Sequence, residues 1–310
     1  MVTATLIAYL DGLDANEGVV TCRDAIHAFD GRILRTWDAA GAADVRDLDA
    51  PGATLLAVHA DTAVLSDDTG TLIDRGGAEP TRIPVRADAA VPVADGWLLT
   101  EPRDRDNTGW SQSHAIVWVD ATGEIRSEHI LEVFGARPSG VSHPTEPAAL
   151  LEFPMGQDGT LLAAVRVVGD ELEVTELLGA EDPVIGGFSP DGSTFLVLPY
   201  PSDPDVALIA SWPSGDVIAR VSATDLDLER GFDLTGGYLG ADRVVLLATE
   251  TGPVLAASDL SGAALIELIG LDEIADEDSW ISQVFPVGND SFVIGVTDGG
   301  DTIATLWRIS

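Results

Sequence analysis

The chain has 310 residues, 45% of them hydrophobic, which is enough for one large core that needs no disulfide. All 16 basic residues are Arg, and they stand against 52 acidic residues, so the net charge is −36. Such a surface repels nucleic acids and anionic membranes, because both bind proteins through cations. It also keeps a protein dispersed. We therefore expect a soluble monomer with no nucleic-acid partner.

No run of about 18 apolar residues occurs, so no membrane span is predicted. The N-terminus has neither the basic residues nor the small-residue cleavage site of a signal peptide. The sequence as written predicts a cytoplasmic protein, and a domain cut from an exported precursor is the alternative. Cys22 is the only cysteine, so we expect it to be unpaired.

The first predicted element is a strand over residues 3–10, and short turns follow it along the chain. Each turn places a glycine between two apolar or β-branched runs, as a tight β-turn requires. These glycines are Gly31, Gly70, Gly123, Gly169, Gly215 and Gly262. They are separated by 39, 53, 46, 46 and 47 residues, which matches the period of a four-stranded propeller blade, about 40 to 50 residues. The spacing predicts an all-β chain, a single β-propeller domain over residues 1–310.

A seventh unit is predicted at the end of the chain, where it is cut short. Residues 249–253 of the sixth unit align with residues 297–301, 48 residues later. Residues 302–309 form the third strand of this unit, so its outer strand must come from elsewhere. We predict a seven-bladed ring in which residues 3–10 supply that strand, because closure removes exposed sheet edges. In the alternative, residues 3–10 are the second strand of the first blade, and the ring lacks two strands.

One segment carries a family resemblance. Residues 187–197 read Gly-Phe-Ser-Pro-Asp-Gly-Ser-Thr-Phe-Leu-Val, which resembles the repeat of TolB-type and WD-repeat-like propellers. The resemblance covers one blade and implies the propeller fold, and a fold does not imply a function. The turn at 120–123 is similar to turns of quinoprotein propellers but one residue shorter and not repeated. We therefore predict no quinone and no other cofactor.

Linear motifs of catalysis are absent from the sequence. It contains no Gly-x-Ser-x-Gly, His-Glu-x-x-His, paired Cys-x-x-Cys, phosphate loop or dinucleotide fingerprint. The neighbours Ser113–His114 and Ser142–His143 point to opposite faces of a strand, which is poor geometry for a nucleophile and its base. We predict no catalytic residue from these patterns.

Two acidic segments are candidates for a Ca²⁺ site. Residues 272–278 lack the alternating Asp or Asn residues, the central Gly and the final Glu of a calcium-binding loop, and the pattern of residues 298–301 is typical of a turn. In a chain this acidic, such runs are more often solvated. We predict no metal site.

The predicted long loops fall on one face of the propeller, where second-to-third strand loops and blade-to-blade connections open. They cover residues 11–18, 76–87, 102–113, 131–137, 223–233 and 270–279. Function concentrates on loops that a rigid scaffold carries. We expect this face to be the binding surface.

Cations and aromatic residues gather in residues 102–114 and in the next connection on that face. The predicted binding residues are Arg103, Arg105, Trp110, His114, Phe134 and Arg137. Arg and Trp are frequent binding hot spots, so we interpret this island as a receptor for a carboxylate or an acidic peptide. The alternative is a solvated loop whose Arg and Asp residues pair with each other, at about 0 to 1 kcal/mol per exposed pair.

Two functions remain open at this point. The first is a non-enzymatic binding or scaffold propeller that uses its long-loop face for a protein or peptide partner. The missing catalytic motifs and the loop asymmetry favour it. The second is a propeller hydrolase or lyase with a metal or acid–base site at the central channel, contributed by several blades without a linear motif.

Overall fold

The computed structural model describes residues 2–10, 20–22, 25–105, 110–179, 182–200, 205–249, 251–275, 279–298 and 301–310. Regular structure in these residues is β-strand, apart from three 3-10 turns at Gly156–Asp158, Thr224–Leu226 and Leu271–Glu273. The predicted all-β class is confirmed for this part of the chain. The side chain of Cys22 and the predicted loop at 11–18 lie outside the described residues.

The strands follow one another along the whole chain. In order they are β1 (Val2–Tyr9), β2 (Val20–Cys22), β3 (Ala25–Phe29), β4 (Ile33–Asp38), β5 (Ala43–Asp47), β6 (Thr54–His59), β7 (Thr62–Asp67), β8 (Gly70–Asp74), β9 (Thr81–Ile83), β10 (Ala89–Val93), β11 (Gly96–Arg103), β12 (Ser113–Val119), β13 (Ile125–Leu131), β14 (Ser139–Ser142), β15 (Ala148–Pro154), β16 (Thr160–Val168), β17 (Glu171–Leu177), β18 (Val184–Phe188), β19 (Thr194–Leu198), β20 (Val206–Ser211), β21 (Val217–Ser222), β22 (Phe232–Leu239), β23 (Arg243–Ala248), β24 (Gly252–Ala257), β25 (Ala264–Ile269), β26 (Trp280–Val287), β27 (Ser291–Asp298) and β28 (Asp301–Ile309).

The chain divides into two compact units. Unit 1 holds Met1–Asp49, Gly186–Trp212 and Asp216–Ser310, and unit 2 holds Ala50–Ile185 and Pro213–Gly215. The boundary passes through β18. Each unit is described by itself below.

Unit 2 contains three four-stranded antiparallel sheets, β6–β9, β10–β13 and β14–β17. Every residue of β12 is buried, whereas the outer strand β13 alternates between exposed and half-buried residues. A strand that is apolar at successive positions is covered on both faces. Ile73 and Val117 accordingly lie in one core cluster, and Ile116 and Phe153 lie in the next. The sheets of unit 2 therefore pack face to face, with their inner strands in the core.

Buried threonines anchor two connecting segments of unit 2. Thr71 Oγ1 donates a hydrogen bond of 2.7 Å to the Val85 carbonyl, and Thr160 Oγ1 donates one of 2.6 Å to the Pro183 carbonyl. Both threonines lie at the start of the third strand of their sheet. A hydrogen bond removed from water leaves a costly unpaired group when it is lost, so these pairs hold the connections at fixed positions.

Unit 1 contains the four-stranded sheets β2–β5 and β18–β21 and one eight-stranded sheet in the order β22-β23-β24-β25-β1-β28-β27-β26. Strand β1 pairs antiparallel with β28, Thr5 facing Arg308, as the predicted supply of the last outer strand requires. It takes no place in the sheet β2–β5, so the alternative position in the first blade is wrong. Strand β1 also pairs parallel with β25, Thr3 facing Glu267. The sequence did not predict this second pairing, and it joins two sets of four strands into one sheet.

The turn glycines all have positive φ, as predicted, but they do not occupy one equivalent position. Gly31 and Gly70 lie between the second and third strands of their sheets, whereas the later ones, from Gly123 onwards, lie between the third and fourth. This change of position accounts for the long spacing of 53 residues. Gly70 cannot be replaced by any larger residue without a shift, because an added Cβ would lie 2.3 Å from the Ile83 carbonyl oxygen.

The Ser-Pro-Asp-Gly turn forms as predicted. Ser189 Oγ donates to Asp191 Oδ1 at 2.7 Å, and the Gly192 amide donates to the Ser189 carbonyl at 2.9 Å. Gly192 has φ of 77°. The Ser193 amide donates to Asp191 Oδ1 at 3.0 Å, so side-chain hydrogen bonds and a residue with positive φ close this turn between β18 and β19.

Several predicted loops are shorter than expected. The segment 76–87 contains β9, and the segment 102–113 loses its two ends to β11 and β12. Residues 106–109 lie outside the described part. Strand β11 ends at Arg103, the first residue of the Arg-Asp alternation at 103–106. A charged residue at a strand end has the same sequence pattern as the loop that follows it.

Candidate functional site

The predicted binding residues lie in unit 2, at one end of the sheet β10–β13. The connection from β11 to β12 and the connection that follows β13 leave the sheet at the same end, because neighbouring strands run antiparallel. A pair of backbone hydrogen bonds ties the two connections together. The Ser111 amide donates to the Gly135 carbonyl at 3.0 Å, and the Gly135 amide donates to the Ser111 carbonyl at 3.1 Å.

Trp110 and Phe134 stack across this tie. Their ring centroids are 5.1 Å apart and the ring planes meet at 19°, an offset-stacking distance. Phe134 is 44% exposed, and Trp110 is half-buried. Gly156 lies under the Trp110 ring, and an added Cβ there would come within 2.6 Å of it. The stack is therefore supported by backbone contacts on one side and exposes aromatic surface to solvent on the other.

Arginines gather around Asp88 beside this surface. The Arg105 guanidinium forms an ion pair with the Asp88 carboxylate, and Arg137 Nε donates to the Asp88 carbonyl at 2.8 Å. Arg86 lies on the other side and pairs with Asp68 at 3.1 Å. Burial lowers the pKa of Arg105, and the nearby charges of Arg86 and Arg137 lower it further. The positive charges of Arg86 and Arg137 thus act on Arg105, which pairs with one half-buried carboxylate.

Arg103 does not join this group. Its guanidinium forms ion pairs with Glu101 at 3.0 Å and with Glu128 at 2.8 Å. Glu101 also accepts a hydrogen bond of 2.9 Å from the Arg86 amide. Two carboxylates therefore pair with Arg103, and both belong to strands and not to the Arg-Asp pattern of the loop.

His114 is fully buried and does not contribute to a surface. It lies on β12 with its ring 5.3 Å from the ring of Phe153 and next to the backbone of Gly135. Burial lowers the pKa of His114, a hydrogen bond with the Gly135 backbone opposes this shift, and the charge of Arg105 acts in the same direction as burial. The hydroxyls of Ser111 and Thr100 are buried without a hydrogen-bond partner in the described part of the chain. A position in β12 that looked like a loop end is thus an interior position.

Sequence reasoning missed Arg86 and Asp88 as parts of this surface. Both follow β9 in the connection to β10, and the predicted loop at 76–87 ends between them. Asp88 has the pattern of an ordinary solvated acid in the sequence. Only the return of this connection to the end of the sheet brings it beside Arg105 and Arg137. We call Arg86, Arg105, Arg137, Trp110 and Phe134 the arginine–aromatic surface.

One buried carboxyl was also missed. Glu152 on β15 is 9% exposed, and its Oε2 accepts a hydrogen bond of 2.8 Å from the Ile185 amide. Burial raises the pKa of Glu152 to about 7, and that hydrogen bond opposes the shift. The residue stands in an apolar run, Ala148–Pro154, where an isolated acid signals a buried ionisable group.

No group of three or more His, Cys, Asp or Glu side chains is arranged to hold a metal ion within the described residues. In the same part of the chain, no helix is long and apolar enough to cross a membrane.

Repeated four-stranded antiparallel sheets built from consecutive strands define the class of fold, and solved structures agree with it. The chain is a β-propeller-like protein. It is similar to Hsv2p of Kluyveromyces lactis, with a TM-score of 0.57, 8% identity and coverage of 95% of this chain and 98% of that chain. It is similar to the AfRom2 CNH domain, with a TM-score of 0.56, 9% identity and 99% of both chains covered.

An acylaminoacyl peptidase in complex with Z-Gly-Gly-Phe-chloromethyl ketone also matches, with a TM-score of 0.57 and 12% identity. That match covers 94% of this chain but 51% of the peptidase chain. Identities this low show the fold alone. No family model matches the sequence, and no curated protein is similar to it. The resemblance to TolB-type and WD-repeat-like propellers stays a prediction.

Proposed function

We propose that this chain is a non-enzymatic binding protein, a single seven-bladed β-propeller domain that takes an acidic peptide segment at the arginine–aromatic surface. The seven blades follow when the eight-stranded sheet is divided at the parallel β25–β1 pairing, with β1 as the outer strand of the last blade. The structural neighbours Hsv2p, the CNH domain and the acylaminoacyl peptidase support the propeller fold of the proposal and not its role.

The placement of Arg105 and Arg137 on Asp88 is the observation that carries the proposal: Arg105 pairs with the Asp88 carboxylate and Arg137 donates to the Asp88 carbonyl. In a chain with 16 cations and 52 acids, the positive charges of Arg86 and Arg137 both act to repel that of Arg105. An incoming carboxylate relieves that repulsion and forms charge-assisted hydrogen bonds with the guanidinium groups, which are stronger than neutral ones. The surface therefore favours anionic groups, against the charge of the whole chain.

The aromatic stack supplies the second half of the recognition. Trp110 and Phe134 are held by the Ser111–Gly135 backbone tie and by Gly156 beneath the ring. Rigid aromatic residues offer contact area at a low cost in conformational entropy. A peptide that carries an apolar side chain next to its acidic group matches both features, whereas a free carboxylate matches only the arginines.

The test is fluorescence anisotropy with labelled peptides in which Asp or Glu neighbours Leu, Phe or Trp. Binding is expected for the wild type, and the triple variant Arg105→Ala, Arg137→Ala, Trp110→Ala should lose it by about a hundredfold, since two hot-spot types are removed. The matched control is Arg32→Ala with Arg126→Ala, because both of these arginines are ion-paired elsewhere on the chain. Equal affinity of the triple variant and the wild type would overturn the proposal, as would the absence of binding to every acidic–apolar peptide.

A further inference from the structure

Unit 1 contains a cleft at the N-terminal ends of β22 and β26. Two hollows of about 550 and 600 Å³ adjoin there, and they share Asp233 and Thr249 in their linings. Each hollow has the size of a site for a small organic ligand, for which pockets of roughly 300 to 1,000 Å³ are usual. The cleft shares no residue with the arginine–aromatic surface, so it is a separate candidate site.

Both strands that border the cleft are irregular at the cleft. The pairing of β22 with β23 shifts between Phe232 and Gly236, and the pairing of β26 with β27 shifts between Ile281 and Gln283. β-bulges re-aim side chains and are frequent beside functional sites. Here the shifts fall on residues that line the hollows, Asp233 and Ser282 among them. The irregular strands therefore present these side chains to the opening.

Trp280 stands at the edge of this opening. It is the first residue of β26 and is 52% exposed, which is a large apolar area left in water. Leu234, in the adjoining hollow, is 38% exposed. Exposure of a large aromatic side chain costs about 25 cal/mol for each Å² of apolar surface, so a ligand that covers the indole face gains that energy. Phe232 is buried, so Trp280 offers one open aromatic face and not a cage.

The polar groups of the cleft are hydroxyls and carboxylates. The hydroxyl residues in its linings are Thr249, Thr251, Ser279 and Ser282. The charged residues are Asp205, Glu229 and Asp233 against the single Arg230, so an anionic ligand is repelled. Hydroxyls donate and accept, and carboxylates accept from two sides. This set matches a ligand that carries many hydroxyl groups of its own.

We propose that the cleft binds a neutral carbohydrate, with a sugar ring stacked on Trp280 and its hydroxyls hydrogen-bonded to Asp233 and Thr249. The C–H groups of a sugar ring form an apolar face that covers an indole ring, while the hydroxyls at its rim reach the polar lining. A cation can also lie over a single indole face, but it would use only the carboxylates of the lining, so the four hydroxyl residues favour the sugar. The net charge of −36 does not act against a neutral ligand.

The experiment measures binding of neutral oligosaccharides to the full chain by isothermal titration calorimetry. The panel contains gluco-, manno-, galacto- and xylo-oligosaccharides at millimolar concentration, with choline and an arginine amide as cationic probes. At least one oligosaccharide is expected to bind. Trp280→Ala should weaken that binding by about tenfold or more, since an aromatic contact is worth about 1 kcal/mol beyond its area. Asp233→Asn should weaken it several-fold.

Trp110→Ala is the matched control, because it removes a partly exposed Trp from the other unit. It should leave carbohydrate affinity unchanged while it weakens binding of the acidic peptides. Circular dichroism and the melting temperature establish whether each variant is folded. If Trp280→Ala does not fold, Trp280→Phe replaces it, because Phe keeps a smaller aromatic face. Binding of no oligosaccharide, binding of the cations alone, or equal affinity of the folded Trp280 and Asp233 variants and the wild type would each overturn the proposal.

Discussion

The arginine–aromatic surface of unit 2 and the cleft of unit 1 both present a tryptophan, yet their charges are opposite. Trp110 lies beside arginines that repel one another, and Trp280 lies beside Asp233 and an acidic lining. The same net charge therefore allows two kinds of recognition, because an ion pair acts over a few ångströms and salt screens the rest. Local placement, and not total charge, decides which ligand each tryptophan meets.

The largest expected effect concerns Glu152, the acidic side chain buried in unit 2. Burial raises the pKa of Glu152 to about 7, above its ordinary value, so the protonated form stabilises the fold at low pH. This contribution is complete below pH 4.5 and is lost as the pH rises through about 7. Glu152→Gln should therefore raise the free energy of unfolding more at pH 8 than at pH 4. The expected difference is about 3 kcal/mol, because each pKa unit corresponds to 1.36 kcal/mol.

Chemical denaturation at both pH values measures this difference. Glu171→Gln is the control, because Glu171 is exposed at the start of the outer strand β17. A Glu152 variant whose stability gain is the same at pH 4 and pH 8 would contradict the buried, protonated carboxyl.

A substitution at Gly156 tests the support of the Trp110 ring in the arginine–aromatic surface. Gly156 and Gly169 have nearly the same backbone, φ of 66° and 63°, but an added Cβ meets the Trp110 ring only at Gly156. Gly156→Ala should destabilise the fold by about 2 kcal/mol, since strain at positive φ adds to the displacement of the ring. It should also weaken binding of the acidic peptides.

Gly169→Ala is the control for the backbone term alone, because nothing lies within 4 Å of its added Cβ. It should cost about 1 kcal/mol and leave peptide affinity unchanged. Thermal melts and anisotropy on the two variants give both numbers. Equal losses of stability and of affinity would show that the Trp110 contact is unimportant.

Two buried histidines extend the comparison of the units. In unit 1, His27 Nδ1 lies 2.8 Å from Thr36 Oγ1, and burial lowers the pKa of His27 to about 4. In unit 2, burial lowers the pKa of His114, and a hydrogen bond with the Gly135 backbone opposes the shift. Because both pKa values are lowered, each histidine contributes stability above its ordinary pKa of 6.5 and loses that contribution as the pH falls.

His114→Phe should therefore be neutral or stabilising at pH 7 and should reduce the loss of stability below pH 6. His27→Phe should cost about 1 kcal/mol at pH 7, because the Thr36 hydroxyl loses its partner. Urea denaturation between pH 5 and pH 8 measures both. A larger loss from His114→Phe than from His27→Phe would be the opposite of the expected order.

Salt gives the smallest effect and separates the two sites most directly. Added sodium chloride shortens the screening length from about 10 Å at 0.1 M to about 3 Å at 1 M. It should weaken the acidic peptide several-fold and leave the neutral carbohydrate unaffected, since only the first carries charge. The melting temperature should rise over the same range, because a net charge of −36 repels itself. Binding titrations and thermal melts at four salt concentrations test the two affinities and the melting temperature. Equal salt dependence of the two ligands would remove the distinction between the sites.

The strand–turn pattern was readable from the sequence because it is local, and the turn glycines and the Ser-Pro-Asp-Gly turn at 189–192 are confirmed. The antiparallel pairing of β1 with β28 is also confirmed, and it was predicted because the last unit lacked an outer strand. The parallel pairing of β1 with β25 was not predicted, since β25 already completes a set of four strands and shows no missing partner. The change in turn position between Gly70 and Gly123 was missed for the same reason, as a glycine turn looks alike at either end of a sheet.

The amino-acid sequence by itself determined the all-β class, the blade-length period and the concentration of Arg and Trp in residues 103–110, because period and composition are properties of the chain. Tertiary structure alone decided that Arg103 is bound by two glutamates, that His114 is buried, and that Arg86 and Asp88 join Arg105. It also decided that Asp233 and Trp280 line one cleft. Burial and charge proximity depend on which strands meet, and residues such as Asp88 and Arg137, which are 49 positions apart, meet only after the sheets have formed.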